Sequence, residues 1–189
     1  MRVLSQIPQT NQAHAHRMLQ CPLVAMRPLR AKEPAELLAF EFDASDGGIP
    51  EYRADWRLDD QTQAVLSTCS SLITIVNNDE NRPSRHPVVQ FSHFSVKEFL
   101  MSNRLGDFSR YHIRPVIAHP ILTQAPLGVL LHLDDHIDTK NVIGFPLADY
   151  AARHWVEHAR FEDVASRVKD GMKTLFDPDK PHYMDSNGL

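Results

Sequence analysis

Two short runs of β-branched and apolar residues interrupt a chain whose other apolar residues recur at helical spacing. The runs cover residues 72–76 and 88–91, and the segment between them, 77–87, is polar and contains two prolines. This pattern predicts a β-hairpin with a long exposed tip. A single hairpin among helices indicates a fold that is mainly α with a small β-hairpin.

Three helices are predicted before the hairpin. Pro22 interrupts the apolar stripe of the first, and because proline lacks an amide proton and crowds the preceding turn, we expect a kink or an early stop there. The second covers 34–40, with a proline in its first turn, and a polar loop at 43–55 follows it. The third starts where Asp60 and Gln63 form a capping pair. The predicted buried residues of the first and third helices are Ala15, Met18, Leu19, Leu23, Met26, Val65, Leu66, Cys69 and Leu72.

A fourth short helix is predicted directly after the hairpin. Ser95 and Glu98 have the spacing of a capping box, which marks a helix start. Its inward-pointing residues are Val96, Phe99 and Leu100. Three helices followed by a hairpin is the order of a winged-helix module. We therefore expect a winged-helix unit over 1–105 and a helical bundle over 106–189, with a loose polar tail at 180–189.

The second half of the chain carries helical patterns throughout. The apolar segment 117–133 contains Pro120, which fits a first turn, and Pro126, which predicts that the helix bends or splits. Another helix opens at Pro146. A last amphipathic stripe predicts one helix that ends at Asp177. This stripe consists of Phe161, Val164, Val168, Met172 and Leu175.

The charge and the cysteine content indicate which kinds of partner and which cellular compartment to expect. The chain has 24 acidic and 20 basic residues, a net charge of −4, whereas a sequence-independent grip on nucleic acid needs a surplus of Lys and Arg. No uninterrupted apolar run suggests a bilayer span, and residues 1–12 lack the apolar segment of a secretory signal. Cys21 and Cys69 lie in apolar patterns, which is typical of reduced core thiols in a cytoplasmic protein. We expect a cytoplasmic protein without membrane or nucleic-acid partners.

The segment from His154 through Glu157 to His158 matches the H-x-x-E-H pattern of one class of zinc hydrolase. Two histidines four residues apart share a helix face, so they could coordinate one zinc ion together. A catalytic site needs a third protein ligand, and no second motif selects one. With 11 histidines in the chain, so short a match arises easily by chance. We therefore predict that both rings pack between helices and that the protein holds no metal, with a zinc hydrolase as the alternative.

Two other motifs of catalysis are missing from the sequence. The seven glycines are scattered and none stands directly before a Lys-Ser or Lys-Thr pair, so the sequence predicts no loop that surrounds a phosphate with backbone amides. No G-x-S-x-G nucleophile elbow is present either. We expect a protein that is not an enzyme and binds no cofactor by itself.

His93 is the one residue placed for ligand recognition. It lies at the end of the second strand and just before a helix N-terminus, where amides and the helix dipole favour an anion. A histidine there could donate a hydrogen bond to a phosphate. Spacing alone favours a structural histidine at the end of a strand.

Residues 91–100, FSHFSVKEFL, resemble the F-x-H-x-S-x-x-E-F/Y motif of the winged-helix region that follows a NACHT ATPase core. Longer segments are similar to the NACHT–ankyrin proteins of basidiomycete fungi, which belong to the NLR-like STAND signalling ATPases. The resemblance covers about residues 4–181. The segments that carry it are 10–21, 25–30, 55–57, 63–72 and 145–155.

The resemblance implies a non-catalytic regulatory and protein-interaction segment in signal transduction. Its partners would be a NACHT ATPase core, in the same or another chain, and ankyrin repeats. In such proteins the histidine of the motif contacts the ADP phosphate in the resting state. That role would fall on His93, with Ser95 and Glu98 as the adjoining cap, and only when a core supplies the nucleotide.

A winged-helix nucleic-acid binder is the alternative within the same fold. The helix 95–102 offers Lys97 as its one base, and the hairpin tip sets Arg82 and Arg85 against two acidic residues. This balance predicts no salt-sensitive binding to duplex DNA.

Overall fold

The computed structural model describes residues 2–42, 48–76, 86–135, 144–161 and 163–179. Helices make up most of these ranges, and two pairs of short antiparallel strands accompany them. The helices are α1 (Arg2–Ser5), α2 (Gln12–Val24), α3 (Lys32–Glu36), α4 (Gln61–Cys69), α5 (Phe94–Met101), α6 (Pro115–Ala118), α7 (Ile121–Asp135), α8 (Ala148–Ala159), α9 (Val164–Arg167) and α10 (Lys169–Leu175). The strands are β1 (Phe40–Glu41), β2 (Glu51–Tyr52), β3 (Ile73–Val76) and β4 (Val88–Phe91). The predicted fold class, mainly α with a small hairpin, is confirmed.

The predicted hairpin is formed by β3 and β4. Its antiparallel register runs from Ile73 opposite Phe91 to Val76 opposite Val88, and its predicted tip lies outside the described residues except for His86 and Pro87. The chain before α3 adds a further extended edge, which the sequence analysis did not expect. The Val89 amide donates to the Leu29 carbonyl at 2.8 Å, and Arg30 bridges Val88. Helices α2, α3 and α4 thus accompany a small sheet, in the order of a winged helix.

The predicted loop at 43–55 contains a strand that the sequence analysis missed. Strands β1 and β2 pair Phe40 with Tyr52 and Glu41 with Glu51. The Phe40 and Tyr52 rings lie 5.3 Å apart, and Arg53 binds Glu41 at 2.7 Å. A two-residue strand has no period that a sequence pattern could display. Residues 43–47 lie outside the described ranges.

Three prolines lie in or beside helices α2 and α7. Helix α2 continues two residues past Pro22 and ends at Val24, so Pro22 lies in its last turn and removes one hydrogen bond only. The predicted split at Pro126 is wrong, because α7 continues through this residue, and the predicted bend stays a prediction. The break falls instead between α6 and α7, at His119 and Pro120.

The last predicted helix, from Phe161 to Asp177, is divided into α9 and α10. Val168 separates them with φ −105° and ψ 8°, and Asp163 before α9 has a left-handed φ of 62°. Val164 and Val168 are buried as predicted, whereas Phe161 precedes α9 and is 40% exposed. The tail from residue 180 lies outside the described ranges.

The hydrophobic core is one cluster with contributions from both sides of position 105. Tyr111 and Ile113, which follow that position directly, are buried in it, and the Ile113 amide donates to the Leu100 carbonyl at 2.9 Å. Cys21 and Cys69 are buried free thiols, and burial raises the pKa of Cys69 to about 12. The division at 105 into two units stays a prediction.

One described segment is long and apolar enough to cross a membrane. It covers Pro115–Leu133, and 67% of it is buried within the fold. The sequence pattern did not predict a segment of this kind. Within it Leu122, Ala125, Leu127 and Val129 have no exposed surface. The segment, which contains α6 and most of α7, therefore packs as part of the core.

Helix α10 approaches α7 closely at a glycine. A Cβ atom on Gly171 would lie 2.5 Å from Ile49 Cγ1 and 3.1 Å from Leu127 Cδ2. Such distances require a neighbour to shift, so the absence of a side chain at Gly171 permits this packing.

We predict that Gly171→Ala lowers the free energy of unfolding by about 1–3 kcal/mol, because the added methyl overpacks the contact. In an Ile49→Ala background the same change should raise stability by about 1 kcal/mol, since alanine favours a helix over glycine. Chemical denaturation of the four proteins gives the coupling energy. A destabilisation by Gly171→Ala that is equal in both backgrounds would contradict the packing argument.

Candidate functional site

His93 forms the N-cap of α5. Its backbone is extended, with φ −151° and ψ 147°, and its Nδ1 accepts a hydrogen bond from the Ser95 amide at 3.1 Å. The Ser95 hydroxyl lies 2.7 Å from the same nitrogen. Because Nδ1 accepts, the neutral ring carries its proton on Nε2. The exposed imidazole is therefore held by the helix with its N–H donor on the other side of the ring.

The predicted capping box of Ser95 and Glu98 is wrong in its register. Helix α5 begins at Phe94, so Ser95 is inside the first turn and His93 supplies the cap. Preferences for helix starts favour Ser, Thr, Asp and Asn, which is why the histidine was not recognised as a cap. The inward face is as predicted, since Leu100 is buried and Val96 and Phe99 are half-buried.

The outer side of α5 carries exposed apolar residues beside the histidine. Phe94 is 69% exposed and Met101 40% exposed, and Glu98 lies between them at helical spacing. We call His93, Phe94, Glu98 and Met101 the α5 surface. The α5 surface therefore combines an exposed aromatic side chain with a histidine held at the start of the helix.

The H-x-x-E-H segment lies on α8, and its second histidine is buried. His158 Nδ1 lies 2.8 Å from Nδ1 of His119, and its Nε2 lies 2.7 Å from the Tyr150 hydroxyl. The Tyr150 oxygen accepts the Met26 amide at 3.1 Å. The assignment that satisfies every group has Tyr150 donating to His158 and His158 donating to His119.

This network uses both ring nitrogens of His158, so neither is left for a metal. His154 is half-buried, with Nδ1 3.6 Å from Glu157 Oε2. Within the described ranges, no group of three or more His, Cys, Asp or Glu side chains is placed to hold a metal ion. The predicted packing of the second ring is confirmed. His119 was not identified from the sequence, because its partner is 39 residues away.

Both buried histidines are neutral. Desolvation, followed by the nearby His119, lowers the pKa of His158 to about 3. Burial also lowers the pKa of His119. Its ring stacks on Phe161, with centroids 3.4 Å apart. The network therefore joins α8 to the α6–α7 turn without a charge.

Two buried carboxylates of α3 form a second polar network, which the sequence analysis missed. Glu33 accepts two hydrogen bonds from Arg27, at 2.6 and 2.8 Å, and one from the Arg30 amide at 2.8 Å. Glu36 accepts the Leu147 amide at 2.7 Å, and Arg57 lies 3.7 Å from its other oxygen. Burial raises the pKa of Glu36 to about 7. Acidic residues in a short helix give no sequence signal that distinguishes them from a solvated face.

The chain is similar to azaphilone pigments biosynthesis cluster protein L of Monascus ruber, with 27% identity over 184 residues. The match covers 94% of this chain and 38% of that protein, so the chain spans well under half the length of this relative. No protein family model matches the chain. No solved structure matches it either.

We predict that Glu36→Gln removes a pH dependence from stability. The folded-state pKa of Glu36, about 7, lies above its ordinary value of 4.5, so the wild type loses stability as the pH rises through this window, by at most about 1.4 kcal/mol per pH unit. The stability of the variant relative to the wild type should therefore increase over the same pH window. Urea denaturation at a series of pH values measures this difference. The exposed Glu51→Gln should track the wild type, and parallel curves for all three proteins would contradict the prediction.

His158 should make stability depend on pH in the opposite direction. Its folded-state pKa of about 3 lies below the ordinary 6.5, so its contribution is complete above pH 6.5 and is lost as the pH falls towards 3. His158→Asn should lower stability at pH 7.5 and flatten the acid limb by at most about 1.4 kcal/mol per pH unit. Acid titration of the denaturation midpoint tests this. The exposed His86→Asn is the control, and an unchanged acid limb in His158→Asn would disprove the assignment.

Proposed function

We propose that this chain is a non-catalytic regulatory and protein-interaction segment of an NLR-like signalling protein of the STAND class. Its partner is a NACHT ATPase core in the same or another chain, and ankyrin repeats are part of the assembly. The observation that carries the proposal is the start of α5. There the Nδ1 atom of His93 binds the helix, its Nε2–H is the free donor of the ring, and Phe94 beside it is 69% exposed.

The geometry of His93 suits recognition of a phosphate. A ring held by the Ser95 amide loses little rotational freedom when its Nε2–H donates to an anion, so the contact carries a small entropic cost. Burial of Phe94 against the core would add about 1.5–3 kcal/mol. The histidine contact favours the docked state only while ADP occupies the core, and this differential affinity shifts the population between docked and released states.

The relative from Monascus ruber bears the name of a pigment biosynthesis cluster protein. For this chain we propose regulation and not a chemical step of such a pathway. Both ring nitrogens of His158 in the H-x-x-E-H segment are used in hydrogen bonds, and within the described ranges no trio of ligating side chains converges. We also propose a cytoplasmic location, because both cysteines are buried as free thiols.

Binding to nucleic acid has less support. Across the described residues of the hairpin and α5, that is 73–76 and 86–101, Lys97 is the only lysine or arginine. A winged helix that reads duplex DNA needs several such contacts to phosphates.

We predict that the purified full chain associates with a NACHT core of the resembling family more strongly with ADP than without it. Phe94→Ser should weaken association in both conditions by about tenfold, through loss of apolar burial. His93→Ala should remove the ADP dependence and leave the ADP-free affinity unchanged. Biolayer interferometry with the immobilised core, with and without ADP, measures the affinities of the wild type and of both variants.

The matched control is Phe176→Ser, because Phe176 is also exposed, at 57%, and follows α10. It should bind like the wild type. Thermal unfolding establishes that each variant is folded. Wild-type association that is the same with and without ADP would refute the proposed role of His93, and salt-sensitive binding to duplex DNA in its place would favour the nucleic-acid alternative.

A further inference from the structure

A cleft of about 700 Å³ lies between the start of α3, the start of α4 and the start of α8. This volume is typical of sites for small molecules, which occupy about 300–1,000 Å³. The cleft is separate from the α5 surface, since none of His93, Phe94, Glu98 and Met101 lines it. Both basic and apolar side chains line the walls of the cleft.

Basic groups predominate around the cleft. Arg30, Lys32 and Arg57 line it, and two acidic residues, Glu33 and Asp149, line it as well. Both acids are already neutralised by arginines. Glu33 is bound by Arg27, and Asp149 lies 2.9 Å from Arg153, 3.2 Å from Arg30 and 3.4 Å from Arg27.

Lys32 lies on the rim of the cleft, and no acid among the described residues neutralises it. It is exposed and forms no ion pair with any described residue. The acidic residue next to the α4 wall, Asp60, directs its Oδ1 to the Gln63 amide at 2.9 Å and so caps its own helix. In a chain with a net charge of −4, a concave region with excess positive charge attracts anions selectively.

Arg57 is held in place at the apolar wall. Its guanidinium lies 5.3 Å from the centre of the Phe145 ring and donates to the Gly144 carbonyl at 2.5 Å. Glu36 lies behind it at 3.7 Å. A planar guanidinium fixed in this way retains donors for the carboxylate or phosphate of a ligand. The apolar surface beside it comes from Pro87, Phe145, Ala148 and Ala152.

We propose that this cleft binds a small amphipathic anion, with a ring system seated against Phe145 and Ala152 and a single acidic group held by Lys32 and Arg57. The proposal does not depend on a NACHT partner, because every residue that it uses lies in this chain. An acidic group on an apolar body fits both the charge and the lining. A neutral apolar molecule would leave the basic rim without a partner, and a fully polar anion would leave the apolar wall in contact with water.

The test uses two fluorescent probes with the same aromatic body. One is 8-anilinonaphthalene-1-sulfonate, and the other is N-phenyl-1-naphthylamine, which lacks the sulfonate. The full wild-type chain should bind the sulfonate saturably at one site and the neutral probe about tenfold more weakly, since one charged contact in a partly buried site contributes about 1.4 kcal/mol. Equal affinity for both probes would refute the proposed recognition of an anion.

Variants locate the site. Lys32→Glu should weaken binding of the sulfonate about fivefold, whereas the exposed Lys169→Glu, which has the same charge change outside the cleft, should leave it unchanged. Ala152→Trp should block the cleft and abolish saturable binding, and the exposed Ala165→Trp should not. His93→Ala and Phe94→Ser should bind like the wild type, which separates this site from the α5 surface.

Each contrary result overturns the proposal. Equal losses for the two lysine variants would mean that the probe responds to net charge alone. Full binding by a folded Ala152→Trp protein would place the probe elsewhere. If Ala152→Trp does not fold, as judged from thermal unfolding, the comparison of Lys32→Glu with Lys169→Glu decides the question, because both changes are at exposed positions.

Discussion

Two buried carboxylates on one short helix hold the parts of this protein in register. Glu33 binds Arg27 and the Arg30 amide, and so directs the segment before α3 along β4. Glu36 binds the Leu147 amide and so sets the position at which α8 begins. Removal of Arg27 should cost about 3–5 kcal/mol, because the buried Glu33 would be left without its closest compensating charge. The small sheet, α8 and the cleft all depend on these contacts.

Helix α8 in turn carries the network of Tyr150 and His158. Tyr150 and His158 are on its buried side, and they reach Met26 and His119 in different parts of the chain. A buried ring nitrogen without a partner would be unfavourable, and here each nitrogen of His158 has one. The H-x-x-E-H segment resembles a zinc site in the sequence. In the structure its His158 instead joins α8 to the α6–α7 turn. Its neutral state also explains why acid should weaken the fold.

The two surfaces that we propose for binding lie at opposite ends of β4. Pro87 and the partner of Val88, Arg30, belong to the cleft, whereas Phe91 leads within two residues to His93. We propose a protein that brings a nucleotide as the partner of one surface, and a small molecule with one acidic group as the ligand of the other. They rest on separate observations, a capped helix start in one case and a basic cleft with an apolar wall in the other. Either can therefore fail in experiment without the other.

The sequence by itself determined the features that depend on near neighbours. The hairpin, the buried faces of α4 and α5, and the cap of α4 by Asp60 follow from periodicity and from hydrogen bonds across three residues. Only the tertiary structure decided where the polar groups are buried, since Glu36 and Leu147 are 111 residues apart. It also decided that α7 continues through Pro126, because tight packing on the helices around it outweighs one lost hydrogen bond. The stability of such contacts comes from segments that meet only in the folded chain, and no local pattern records which segments will meet.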